Sequence, residues 1–145
     1  MSVGRICTRD VDTADPDEPV GTVARRLAAR GVGSLVVVDG EQCPIGIVSD
    51  RDLALRVLAQ DRDPATTTVQ DVMSPDPATV AEATTIESAL EKMRKGRLRR
   101  LPVVDACGRL VGIVSLDDVL SLIAEELTTI GGLVAGEAPH QHRRS

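Results

Sequence analysis

The chain is written twice. A shift of 66 residues carries Leu35 to Leu101, Val37-Val38-Asp39 to Val103-Val104-Asp105, Gly46 to Gly112, Ser49 to Ser115 and Asp52 to Asp118. Between Leu35 and Asp52, 9 of 18 positions are identical at that shift without a gap, and Thr13 maps onto Thr79. Self-similarity of this kind means one structural unit used twice. A unit of about 60 residues buries only a limited core by itself. Two related units can press their sheet faces together, which points to one compact module with approximate two-fold symmetry.

Apolar periodicity repeats along with the residues. Val20, Val23, Ala24 and Leu27 map onto Ile86, Ala89, Leu90 and Met93, the i, i+3, i+4, i+7 face of a helix. "LVVVD" (35–39) and "LPVVD" (101–105) are short β-branched runs that end at turn residues. "PIGIVS" and "LVGIVS" follow after a few turn formers, so each copy holds a strand pair closed by a short hairpin. A second helix then presents Leu53, Ala54, Val57 and Leu58 in copy one, and Val119, Leu120, Ile123 and Ala124 in copy two. With a short strand near 11–13 and 78–80, each copy reads β-α-β-β-α, an α/β (α+β) architecture. The chain divides into a first repeat at 1–62, a linker at 63–70, a second repeat at 71–130 and a tail at 131–145. That tail is glycine-containing at first and ends "EAPHQHRRS", a composition expected to be partly disordered.

Composition excludes several function classes. No Phe, Tyr or Trp occurs among the 145 residues, so no ring is available to stack on bases. A net charge of -5 also argues against nucleic acid as a partner, because phosphates are not neutralised overall. Cys7, Cys43 and Cys107 are odd in number and scattered, with no CxxC pair, which signals buried or semi-buried free thiols rather than a zinc site or disulfide framework. The "HQH" of His140 and His142 has no acidic or Cys partner nearby, too few ligands for a metal. No apolar segment reads as long enough to cross a membrane and the N-terminus lacks a leader pattern, so a cytoplasmic protein without membrane contact is expected.

"GIVSDRDL" and "GIVSLDDV" hold the ambiguity that matters most. Ser-x-x-Asp before an apolar run is a capping box, in which Ser caps the helix and Asp reaches back to the cap N–H. The same pair suits a phosphorylated sugar: the helix start offers N–H groups to an anion, Ser donates to phosphate, and Asp accepts from hydroxyls. Each motif follows a Gly inside a strand, a mark of close approach by backbone or ligand. No catalytic constellation accompanies them; Asp50, Asp52, Asp117 and Asp118 are accounted for as helix-start acids favoured by the dipole.

Here the chain resembles the CBS domain family, and two such domains in tandem resemble a Bateman module. The resemblance spans about residues 5–130 and rests on the "IVS-x-x-D" ends, "LPVVDACGRLVGIVSLDDV" and the opening "DVMSPDPATV". Copy one departs from it at Val36, where copy two has Pro102, and in its looser opening "ICTRDVDT". The resemblance implies a non-enzymatic regulatory module that binds an adenine nucleotide (AMP, ADP or ATP) or a related adenosine compound, with no classical cofactor. It implies that the motif Asp holds the ribose and the motif Ser the phosphate, while the opening segment of the other copy meets adenine through its backbone. One cleft would join Ser49, Asp52 and Thr79 to the cations Arg99 and Arg100; the other would join Ser115, Asp118 and Thr13 and lack matching cations. The resemblance also implies a homodimer. Leu116 and Leu122 stand where copy one has Asp50 and Arg56, and Leu127, Ile130, Leu133 and Val134 extend that apolar surface. An unidentified effector protein would receive the signal. The alternative is a dimeric scaffold for protein–protein interaction without a physiological nucleotide.

Overall fold

The computed structural model describes residues 1–137 and has a mixed α/β fold of two sheets and five helices. In the first repeat, β1 (Thr13–Ala14) leads to α1 (Val20–Arg30), β2 (Ser34–Val38), β3 (Pro44–Ser49) and α2 (Asp50–Leu53), which continues as a π-helical turn over Ala54–Leu58. A helical turn, α3 (Val69–Val72), and β4 (Ser74–Pro75) open the second repeat, followed by β5 (Val80–Ala81), α4 (Ile86–Gly96), β6 (Arg100–Val104), β7 (Leu110–Ser115) and α5 (Leu116–Glu137).

Local chemistry explains the boundaries. Helix α1 ends where Gly31 takes a left-handed φ of 66°, and α4 ends where Arg97 takes 54° at the matching position. Thr85 caps α4 by accepting the Ser88 N–H at 3.1 Å. Asp39 closes the β2–β3 turn by accepting the N–H groups of Glu41 and Cys43 at 2.9 and 3.0 Å, and Asp105 does the same for Cys107 and Arg109 at 2.9 and 3.0 Å. β1 runs parallel to β2 and β5 parallel to β6, while both hairpins are antiparallel, with Leu35 opposite Val48 and Leu101 opposite Val114.

The two repeats exchange their opening segments. Val3 packs into the core of the second repeat with Val80, Met93, Leu101 and Val114. Val69 and Val72 pack into the core of the first with Val20, Leu27, Leu35 and Val48. The backbone bonds obey the same symmetry: Val3 N–H donates to Thr84 O and Val69 N–H to Glu18 O, both at 2.9 Å. β4 pairs with β3, and Thr8 bridges Ile113 of β7. This pairing explains the strand glycines. A Cβ on Gly112 would lie 2.7 Å from Thr8 O, and one on Gly46 would collide with Met73 Sδ and approach Ser74 O at 3.0 Å. The close approach is therefore by the chain's own backbone. At the same joint, Arg26 makes two hydrogen bonds to the Glu18 carboxylate, at 2.7 and 3.1 Å, and this pairing holds the Glu18 carboxyl below the ordinary glutamate range.

Several expectations change. Residues 131–137, read as the start of a tail, continue α5, while the remainder of that tail with His140 and His142 lies outside the described residues. Helix α5 is, by length and composition, apolar enough to cross a membrane, against the reading that no segment is; beyond Asp117 and Asp118 in its first turn, only Glu125 and Glu126 interrupt the apolar run before Glu137. The second helices bury less than expected: Val57 and Val119 are buried, whereas Leu58, Leu120 and Ile123 are 71%, 52% and 47% exposed. Core contact lasts for about two turns in the first repeat, to Val57, and about one in the second, to Val119, so later apolar positions have no core beneath them. Ala24 and Cys107 are exposed as well.

Candidate functional site

Both Ser-x-x-Asp motifs are capping boxes. Ser49 Oγ accepts the Asp52 N–H at 3.1 Å and Asp52 Oδ2 accepts the Ser49 N–H at 2.9 Å; Ser115 and Asp118 repeat the pair at 3.1 and 2.9 Å. Capping uses one carboxylate oxygen of each Asp, and the fate of the other separates the two clefts. Arg56 Nε lies 3.8 Å from Asp52 Oδ1. Leu122 holds the matching place on α5, and no protein cation or donor reaches Asp118 Oδ1 among the described residues.

Asp118 and Ser115 line a cavity of about 470 Å³ to which both repeats contribute. Its far wall is the opening segment of the first repeat, Thr8 to Asp12, and Val32, Leu35 and Ile113 supply aliphatic surface. Arg30 and Arg100 also line it. Arg30 forms an ion pair with Asp12 and approaches Asp10 at 3.9 Å. The expectation that this cleft lacks cations is thus corrected. Arg100 stands directly opposite Ser115 across the β6–β7 ladder, so the start of β6 serves the cap at the end of β7.

A second cavity of about 320 Å³ adjoins the first through Ser34, Arg100 and Ser115, and adds Ile47, Leu98, Arg99 and Asp117. Ile47, Leu98 and Arg100 are the 66-shifted counterparts of Ile113, Val32 and Ser34, so this space is the remnant of the first repeat's cleft. Neither Ser49 nor Asp52 lines it. Arg99 lies 3.8 Å from Asp117, with both side chains exposed. Thr79 is apart from Ser49 and Asp52: its carbonyl accepts Lys92 Nζ at 2.6 Å, and it faces a groove with Thr84, Ser88 and Lys95. Thr13 is held in β1, its carbonyl accepting Arg26 Nη1 at 2.9 Å.

The resemblance sets the segment 6–13 against Ser115 and Asp118, and Thr8, Asp10 and Asp12 of that segment line the cavity; sequence reasoning missed Arg30 as a lining residue and Arg56 as a neighbour of Asp52. The signal for Arg56 was present in the register itself, since i, i+4 from Asp52 is Arg in one copy and i, i+4 from Asp118 is Leu in the other.

Two copies of one β-α-β-β-α unit, swapped at their openings around a shared cleft, define a tandem-repeat module of the α/β class. The CBS domain model matches residues 3–59 and 69–125, and the chain belongs to the CBS domain family. An uncharacterized protein of Methanopyrus kandleri is 37% identical over 130 residues, covering 90% of this chain and 66% of its own length, so the chain spans slightly less than two thirds of that relative. CBSX2 of Arabidopsis thaliana, solved in complex with AMP, is similar with a TM-score of 0.73 at 30% identity, covering 86% of this chain and 96% of its own. The CBS domain pair of protein MJ0100, in complex with 5'-methylthioadenosine and S-adenosyl-L-methionine, has a TM-score of 0.74 at 28% identity, covering 85% and 99%.

Proposed function

We propose that this chain is a regulatory module that binds an adenosine ligand in the Ser115–Asp118 cleft and transmits its occupancy to an effector protein. The carrying observation is the pair of Asp118 Oδ1, without a partner among the described residues, and the cavity of about 470 Å³ into which both repeats project. A carboxylate oxygen of this kind accepts from ribose hydroxyls. Adenine fits between aliphatic walls and the backbone of Thr8 to Asp12, which suits a chain without aromatic side chains. Arg100, with Arg99 in the adjoining cavity, favours a phosphorylated ligand such as AMP, ADP or ATP over S-adenosylmethionine, because guanidinium groups clamp phosphate oxygens in pairs. The ligands of CBSX2 and MJ0100 agree with the adenosine part of this reading. Thr13 acts through the strand it occupies, and Thr79 through the backbone just before β5.

The module works by binding and performs no reaction of its own. It acts in the cytoplasm, where its three free cysteines stay reduced. It pairs as a homodimer through α5, whose exposed Leu120, Ile123, Leu127, Ile130 and Val134 recur at alternating steps of three and four, the spacing of a helix–helix seam. That face also favours the second reading, a dimeric scaffold without a nucleotide. Calorimetric titration with AMP, ADP, ATP and S-adenosylmethionine separates the two: saturable binding that ranks with phosphate supports the regulatory reading, and no heat with any of the four supports the scaffold.

A further inference from the structure

We infer that Arg56 is a strap that closes the first repeat's cleft from within, leaving one ligand site per chain; the ligand part of this inference rests on the adenosine reading above. Three contacts define the strap. Arg56 Nη1 donates to Val72 O at 2.9 Å and to Met73 O at 3.3 Å, and its Nε stands 3.8 Å from Asp52 Oδ1. One guanidinium therefore ties α2 to the opening segment of the second repeat, the two walls between which a ligand would enter. It also engages the carboxylate oxygen that capping leaves over. In the other cleft, Leu122 has no donor, the opening segment from Thr8 to Asp12 lines open space, and Asp118 faces it. The remnant cavity on the first side includes neither Asp52 nor any residue of the second opening segment.

Backbone winding supports the assignment. Arg56 sits in the π-helical turn Ala54–Leu58, where Ala59 N–H donates to Ala54 O at 2.9 Å and Arg62 N–H to Val57 O at 3.0 Å, both five residues back. The matching stretch of α5 is regular α-helix. Such insertions cluster at functional positions, and here the departure from symmetry coincides with a residue that crosses the cleft.

The substitution Arg56→Leu gives the first repeat the residue that the second already has. Hydrogen–deuterium exchange of the ligand-free chain tests the strap directly. Amides from Met73 to Thr79 should exchange roughly tenfold faster in the variant, as for loss of a charge-assisted hydrogen bond, while those from Cys7 to Thr13 stay unchanged. Equal exchange in both segments overturns the strap. Calorimetry with AMP then reads stoichiometry: one site per chain in the parent and two in Arg56→Leu. Two sites in the parent, or one in a variant whose exchange has risen, overturn the inference that Arg56 sets the number. A parent that binds no adenosine ligand refutes the functional reading instead, and the exchange result still decides the strap. Arg56→Met, which keeps a linear stem without donors, replaces Arg56→Leu if that variant does not fold.

Discussion

Val3 and Val69 are counterparts 66 residues apart, and each is fully buried in the core of the repeat that the other one opens. Val3→Ala and Val69→Ala should therefore each cost about 2 kcal/mol, the lost transfer energy plus a small cavity. Neither core is complete without its neighbour, so denaturant unfolding should remain a single transition in both variants. Two resolved transitions would show that the repeats stand independently.

Asp52 and Asp118 should part company on substitution. Asp118→Ala should weaken AMP binding by about 1.5–3 kcal/mol, for loss of a charged acceptor. Asp52→Ala should leave the parent site's affinity unchanged. Both should lower stability by about 1 kcal/mol through loss of the capping box. Equal loss of affinity in the two variants, read by calorimetry, would contradict the asymmetry described above.

Arg100→Ala should reduce the affinity for ATP more than that for S-adenosylmethionine. Added salt should erode binding of the parent to ATP and have less effect on the variant, because an exposed phosphate contact is screened. Titrations at two ionic strengths provide the check. A variant that binds both ligands as the parent does would remove Arg100 from the site.

Light scattering of the purified chain should give twice the 15.3 kDa mass of one chain. Ile123→Glu with Leu127→Glu should convert it to monomer, since two carboxylates would then lie in the apolar seam. A parent that is monomeric, or that partitions onto lipid vesicles instead, would assign the exposed face of α5 a different role.

The Glu18–Arg26 pair gives stability a pH dependence. Hydrogen bonds from Arg26 hold the Glu18 carboxyl below its unfolded range. A lowered carboxylate contributes stability above its unfolded pKa and loses it as pH falls through the folded one. Stability should therefore decline below about pH 4. In Glu18→Gln that part of the decline should vanish, with about 1 kcal/mol lost at neutral pH. Parallel acid-unfolding profiles of parent and variant would count against the pair.

The repeat, the two hairpins and both caps were legible in the sequence because each rests on local spacing: Asp39 and Asp105 at turns, Ser49 and Ser115 three residues before an acid. The exchange of openings came from the resemblance alone, not from spacing. Val3 and Val69 are single apolar residues in polar surroundings, and what buries them lies far along the chain. Residues 131–137 misled for the opposite reason. Gly131 and Gly132 suggest the start of a glycine-containing tail, yet no left-handed turn forms there and α5 continues. In the site, the pairing of Ser115 and Asp118 with the first opening segment followed from the resemblance. Arg100 was grouped with Ser49 and Asp52 alone because the β6–β7 register, which sets it against Ser115, cannot be read from spacing.

The crossed openings also set an order of events during synthesis. The first repeat cannot complete its core when Ser49 and α2 leave the ribosome; it must wait for Val69 and Val72 to emerge. Val3, which precedes both repeats' sheets in the chain, stays unburied until β6 and β7 of the second repeat have followed. Nascent chains stalled before Val69 should therefore be protease-sensitive along their whole length, and protection should arrive late and together. A valine made ahead of both sheets is among the last to find its place.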